Sequence, residues 1–141
     1  MRVVLDTNVL VSALLLENSP PARLITAWRR GVFMLLSAEL QFDELRRATR
    51  YPRIRERLRP ALAGSLVNEL RGVAEVMENL PFIDLSPDPF DNFLLAIAEA
   101  GQADYLVSGD RCGLLDLKRH GICRIVTARA LLETLAKQRR D

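Results

Sequence analysis

Arg2-Val3-Val4-Leu5-Asp6-Thr7-Asn8 decides the fold. A β-branched apolar run that stops abruptly on an acid reads as a short strand delivering Asp6 at its carboxyl end. A second segment, Asp104-Tyr105-Leu106-Val107-Ser108, reads as a strand that delivers Asp110 late in the chain. Helical and strand patterns alternate around these two. Asn8 to Leu16 is a short apolar helix. Pro20-Pro21 restart the chain into a helix over Ala22 to Arg30, closed by Gly31. Val32 to Leu36 is a strand, and Ser37 is placed to cap a helix from Ala38 to about Thr49. A single helical turn fits between Pro52 and Pro60.

Leu62, Leu66, Leu70, Val73 and Met77 recur at helical spacing and predict an amphipathic helix over 61–79. Pro81 to Leu85 is a third strand candidate. Asp88, with Pro89 behind it, opens a helix from Phe90 to Ala100 that is apolar nearly all round. A helical turn at Leu114–Lys118, a strand at Ile122 to Val126, and a helix capped by Thr127 to about Gln138 complete the chain. His120 falls in a loop, and 137–141 reads as a frayed tail. Strands alternating with helices imply an α/β fold whose parallel sheet carries helices on both faces, here as one domain over 1–141. Sites in such sheets lie beyond the carboxyl ends of the strands.

Composition removes several function classes. The chain has 141 residues, 49% hydrophobic and 27% charged, with a net charge of +2, an ordinary globular balance. One histidine and two cysteines exclude zinc fingers and histidine-rich metal sites. Neither a P-loop nor GxGxxG is present. The apolar run Val9 to Leu16 falls far short of the ~20 residues of a bilayer span. Asp6 and Asn8 interrupt any signal-peptide pattern, so a cytoplasmic protein with reduced thiols is expected.

The acids carry the remaining signal. Asp6 and Asp110 fall on the same rim of a parallel sheet, although each alone is compatible with loop capping. Asp91 stands in the first turn of a buried helix, a position that the helix dipole also favours. Glu44 lies at the edge of the core-facing stripe with Leu40, Gln41, Leu45 and Ala48, whereas Asp43 can pair with Arg47 on the surface. Two carboxylates ~4 Å apart repel by about 4 kcal/mol at an effective dielectric near 20, so such a cluster keeps a proton or binds a cation. Oxygen ligands without histidine select Mg²⁺ or Mn²⁺. Such an ion can activate a water and stabilise charge on a phosphodiester. Thr7 and Asn8 are placed to orient a ligand carboxylate, and Asn8 could equally cap the following helix.

Met1-Arg2-Val3-Val4-Leu5-Asp6-Thr7-Asn8-Val9-Leu10 resembles the opening of a PIN domain. Asp91-Asn92-Phe93-Leu94-Leu95-Ala96-Ile97-Ala98, followed by Asp104 to Asp110, resembles its second half. The likeness covers essentially the whole chain and is greatest to stand-alone bacterial PIN proteins described as toxins of toxin–antitoxin pairs. It implies a three-layer α/β/α sandwich with a central, mostly parallel sheet, and a metal-dependent ribonuclease. It carries the metal-binding, catalytic acids onto Asp6, Glu44, Asp91 and Asp110, with Glu39 and Asp43 as competitors for the place of Glu44. Thr7 and Asn8 match the polar pair supporting the first acid, and Ser108 and Asp110 match a Ser/Thr-x-Asp pattern. Many relatives hold another acid where Cys112 and Gly113 stand here, which argues for one firmly held ion.

Eighteen of the twenty basic residues are arginine. Arg46, Arg47, Arg50 and Arg53 begin a run just after Glu44 that could guide an RNA backbone toward the acids. The resemblance further implies an antitoxin protein as partner and a homodimer. Trp28 and Phe33 suit either a dimer patch or, better, core packing. Two rival readings are a degenerate PIN fold that binds RNA or protein without cutting, and a carboxylate–Mg²⁺ phosphatase. The absence of an Asp-x-Asp pair after the first strand counts against the phosphatase.

Overall fold

A computed structural model describes residues 1–109 and 113–140. Its six strands are β1 (Arg2–Leu5), β2 (Met34–Ser37), β3 (Glu75–Val76), β4 (Tyr105–Val107), β5 (Arg119–His120) and β6 (Cys123–Val126). They form one sheet in the order β3-β2-β1-β4-β6-β5. Every neighbouring pair is parallel except β5 with β6. The helices are α1 (Thr7–Leu15), α2 (Pro20–Arg29), α3 (Glu39–Ala48), α4 (Pro52–Arg55), α5 (Pro60–Val73), α6 (Asn92–Ala100), α7 (Leu114–Leu117) and α8 (Ala128–Arg140). A 3₁₀ turn, Pro89–Asp91, leads into α6.

Alternation along the strands builds the layers. Val3 and Leu5 of β1, Leu35 of β2 and Val107 of β4 pack with α1, α2, α3, α5 and α8 in one core. Val4, Leu36, Leu106 and Ile125 point the other way, against α6 and α7, in a second core. This is the expected α/β/α sandwich. Val3, Val4 and Leu5 are fully buried because β1 is central and covered on both faces. Trp28 and Phe33 are buried in the first core, which settles their role as packing residues.

The structure corrects several local expectations. Ser37 ends β2 and does not cap α3. The cap position is Ala38, without a side-chain hydrogen bond, because the Ser37 hydroxyl donates instead to Gln41 Oε1 (2.5 Å). The expected helix over 61–79 stops at Val73. Glu75 and Val76 then pair with Leu36 and Ser37, and Glu75 is tied to Arg2 at 2.8 Å. Met77 still packs on the second core, so its spacing is satisfied without a helix. Pro81–Leu85 pairs with no strand, and Phe82 is exposed. Phe90 lies in the 3₁₀ turn ahead of α6 and is exposed, since the Asp88 side chain caps that turn instead of α6. His120 belongs to β5, with Nε2 3.2 Å from Glu99 Oε1. Asp43 approaches Arg46 (3.8 Å), three residues on along α3, instead of Arg47. Residues 137–140 of the expected tail continue α8, with 137–139 exposed, and Asp141 lies outside the described residues. Among the described residues no helix is long and apolar enough to cross a membrane.

Candidate acidic site at the ends of the central strands

The parallel register sets Leu5 of β1 beside Val107 of β4, and the Asp6 N–H continues the ladder to the Val107 carbonyl at 2.9 Å. Asp6 and Ser108 therefore leave the sheet side by side. The Ser108 hydroxyl donates to Asp6 Oδ2 at 3.0 Å, and both residues are buried. Asp6 Oδ1 accepts the Asn8 backbone N–H at 3.1 Å, so Asp6 is also the N-cap of α1. The capping reading of Asp6 and the ligand reading thus describe one carboxylate held rigidly at the mouth of the sheet. Asn8 contributes its backbone to the cap and its side chain to the wall of an adjoining cavity. That cavity, of about 460 Å³, is also lined by Asp6, Ser12, Ser108, Thr127 and Arg129.

Glu44 reaches the same region from α3. Gln41, one turn earlier and fully buried, docks α3 on the end of β1: its Nε2 donates to the Leu5 carbonyl at 2.6 Å. Sequence reading placed Gln41 on the core-facing stripe without a task. The available signal was a polar residue at a core position, one helical turn from Ser37. Burial pushes the half-buried Glu44 carboxyl above its ordinary range; the Thr7 hydroxyl and Arg47 oppose that rise, and the Asp6 and Asp88 charges add to it. Thr7 acts on Glu44 by contact, and the Asp6, Arg47 and Asp88 charges act on it through space. Glu39 is turned away into an exposed ion pair with Arg71 (2.8 Å), and Asp43 is exposed on the surface.

Asp91 is half-buried at the end of the 3₁₀ turn, three residues beyond Asp88. The turn is fastened by two residues that sequence reading left without a role. Asn92 Oδ1 accepts the N–H groups of Leu85 (3.1 Å) and Ser86 (2.9 Å), and the Ser86 hydroxyl accepts the Asp88 N–H (3.3 Å). Asp110 and Cys112 lie outside the described residues. Among the described residues, no three histidine, cysteine or carboxylate side chains stand close enough to hold a metal by themselves. Of the arginines proposed to guide RNA, Arg47 acts on Glu44 through its charge and Arg46 faces Asp43, while Arg50 and Arg53 are exposed further along.

One atom is out of balance. Thr7 Oγ1 is buried and forms no well-aligned hydrogen bond, although it lies close enough to Glu44 to favour its carboxylate. A buried hydroxyl left wholly unpaired costs about 1–3 kcal/mol, and a poorly aligned one part of that. Carboxylate oxygens beside a loosely paired hydroxyl form a hard donor set, which fits a divalent cation with its water shell. A family model described as the PIN domain matches residues 2–112, a span running from β1 past β4. The chain belongs to the PIN-domain family, whose general activity is that of nucleases, hydrolases that usually use divalent metals. No curated protein and no solved structure matches it.

Proposed function

We propose that this PIN-domain chain is a metal-dependent endoribonuclease that hydrolyses RNA phosphodiesters. The observation supporting this reading is that buried Asp6 and half-buried Glu44 feel each other's charge, with the buried, loosely paired Thr7 hydroxyl beside Glu44. Asp6, Glu44, Asp91 and Asp110 would hold Mg²⁺ or Mn²⁺. The bound ion would supply Lewis-acid stabilisation of the charge that grows on a phosphodiester, and a more acidic water. Ser108 and the start of α1 fix the Asp6 carboxylate, so its ligand geometry is set before any ion arrives. Gln41 fixes the depth of α3 and with it Glu44. Arg47, whose charge reaches Glu44, would meet a phosphate oxygen beside the acids, with Arg46, Arg50 and Arg53 extending the basic surface.

The resemblance supports a biological setting as the toxin of a toxin–antitoxin pair: one domain, working in the cytoplasm as a homodimer and held in check by an antitoxin protein. The test is calorimetric titration of Mn²⁺ into metal-free protein, wild type beside Asp6→Asn, followed by RNA cleavage with Mn²⁺ and with EDTA. Saturable binding lost in Asp6→Asn, together with metal-dependent cleavage, supports the reading. RNA binding that Mn²⁺ never converts into cleavage would replace it with a binding module, the reading that Cys112 and Gly113 favour.

A further inference from the structure

We infer that the seam between α2 and α8 is a second binding site, a basic track for the sugar–phosphate backbone of single-stranded RNA leading away from the acidic site. The inference rests on the nuclease reading for its ligand and on separate residues for its evidence. The cavity beside Asp6 is bounded by Pro20 and Pro21 at the start of α2 and by Ala128 and Arg129 at the start of α8. A second groove, of about 540 Å³, continues between the same helices, walled by Arg23 and Arg30 from the α2 side and by Leu132 and Arg139 of α8. The two helices therefore run alongside each other from the acidic site outward.

Helical spacing aligns the basic groups. Arg23 and Arg30 are seven residues apart on the α2 side, and Arg129, Leu132 and Arg139 follow one stripe of α8. Among the described residues, none of these four arginines is in an ion pair, whereas Arg2, Arg29, Arg46 and Arg71 all are. Arg129 in the first cavity and Arg23, Arg30 and Arg139 in the groove that continues it have no carboxylate partner among the described residues, and together they form a cationic path. A phosphate chain approaching Asp6 and Glu44 meets repulsion, which such a path offsets. From Arg129 to Arg139 the stripe is about 15 Å long at 1.5 Å per residue. That spans about four nucleotides at the ~3.4 Å rise of a stacked strand. Leu132, Leu135 and Ala136 give the groove an apolar floor against which sugars and base faces can lie. No aromatic side chain lines it, so recognition is of backbone and not of base sequence.

The test is fluorescence anisotropy of a labelled twelve-nucleotide oligouridylate in EDTA over a range of salt. Wild type is compared with four single Arg→Gln variants and with the quadruple variant Arg23→Gln/Arg30→Gln/Arg129→Gln/Arg139→Gln. Each arginine on a phosphate contributes about 0.7 to the salt slope of log K. Each single variant should therefore lose roughly fivefold in affinity at ~0.1 M salt, and the quadruple variant two to three orders of magnitude, with a slope shallower by about 3. A quadruple variant that melts like wild type and binds within twofold of it overturns the track. So does a wild type that does not bind the oligonucleotide. A quadruple variant that keeps RNA but loses a poly-glutamate peptide assigns the seam to an acidic protein segment instead, and also overturns it. Cleavage with Mn²⁺ separates the two readings. Wild type that binds but never cuts removes the nuclease and leaves the track. A quadruple variant that cuts as fast as wild type at subsaturating RNA removes the track and leaves the nuclease.

Discussion

Replacing Asp6 by asparagine and by alanine separates what its charge does from what its hydrogen bonds do. The Asp6 carboxylate accepts the Asn8 N–H (3.1 Å) and the Ser108 hydroxyl (3.0 Å). Losing an N-cap costs about 1 kcal/mol, and losing a hydrogen bond to a charged group about 1.5–3 kcal/mol. Asp6→Ala should therefore be less stable by roughly 2–4 kcal/mol. With an unfolding entropy near 2.1 cal/mol/K per residue, about 0.3 kcal/mol/K for this chain, the thermal midpoint should fall by about 7–13 °C. Asp6→Asn behaves differently. Asparagine caps helices about as well as aspartate, its carbonyl oxygen keeps the Asn8 N–H, and the Ser108 hydroxyl can rotate to accept from Nδ2. Loss of the charge also relieves repulsion with Glu44. Its midpoint should stay within about 2 °C of wild type or rise. Both variants should lose RNA cleavage. Differential scanning fluorimetry in EDTA and a cleavage assay in Mn²⁺ decide the matter. An Asp6→Asn midpoint as low as that of Asp6→Ala would refute the hydrogen-bond argument, and wild-type cleavage by either variant would refute the assignment of Asp6.

Further expectations follow from neighbouring groups. Thr7→Val removes a buried hydroxyl that forms no well-aligned hydrogen bond. It should raise the metal-free midpoint by about 3 °C or more, at roughly 1 kcal/mol, while weakening Mn²⁺ binding; an unchanged or lower midpoint would remove the argument from that atom. Glu44 has its carboxyl pushed up, chiefly by burial, so its ionised form is disfavoured in the folded state. Its contribution to stability is complete at low pH and is lost as pH rises from the ordinary carboxylate range through the raised value. Metal-free Glu44→Gln should therefore gain on wild type as pH rises through that window, and a constant difference in midpoint across it would count against the reading. Cys123 is buried, and burial, with Asp104 adding to it, pushes its thiol up to about 12. Mass spectrometry after iodoacetamide treatment of native protein should find Cys123 unmodified, and rapid alkylation would contradict its burial.

The centre of the fold was legible because its physics is local. β1 and β4 are covered on both faces, and a strand in that position must be an unbroken apolar run, so Val3–Leu5 and Tyr105–Val107 announce themselves and the acids behind them. The edge of the sheet carries no such mark. β3 is two half-buried residues long, and its pairing with Leu36 and Ser37 depends on where β2 happens to lie. Met77 satisfied a helical repeat and an edge segment equally well. Gln41 and Asn92 were passed over because the partners that fix their roles here are backbone groups, the Leu5 carbonyl, beside the Ser37 hydroxyl, and the Leu85 and Ser86 N–H groups, which only the folded chain brings to them. The region around Glu44 was found by asking why an acid should sit beside a core stripe. The exposed ion pair of Glu39 explains what that neighbouring carboxylate does instead.

The hydrogen bond between Ser108 and Asp6 joins residues 102 positions apart. At translation rates of ~5–20 residues per second, Asp6 is synthesised about 5–20 s before its partner. Once Ser37 has been made, β1 has β2 to pair with but still lacks β4, and the carboxylate lacks the hydroxyl that holds it. A ribosome-bound or truncated chain ending before β4 therefore carries the first acid without its site. Assembly of the acidic mouth thus waits on β4, the later of the two central strands.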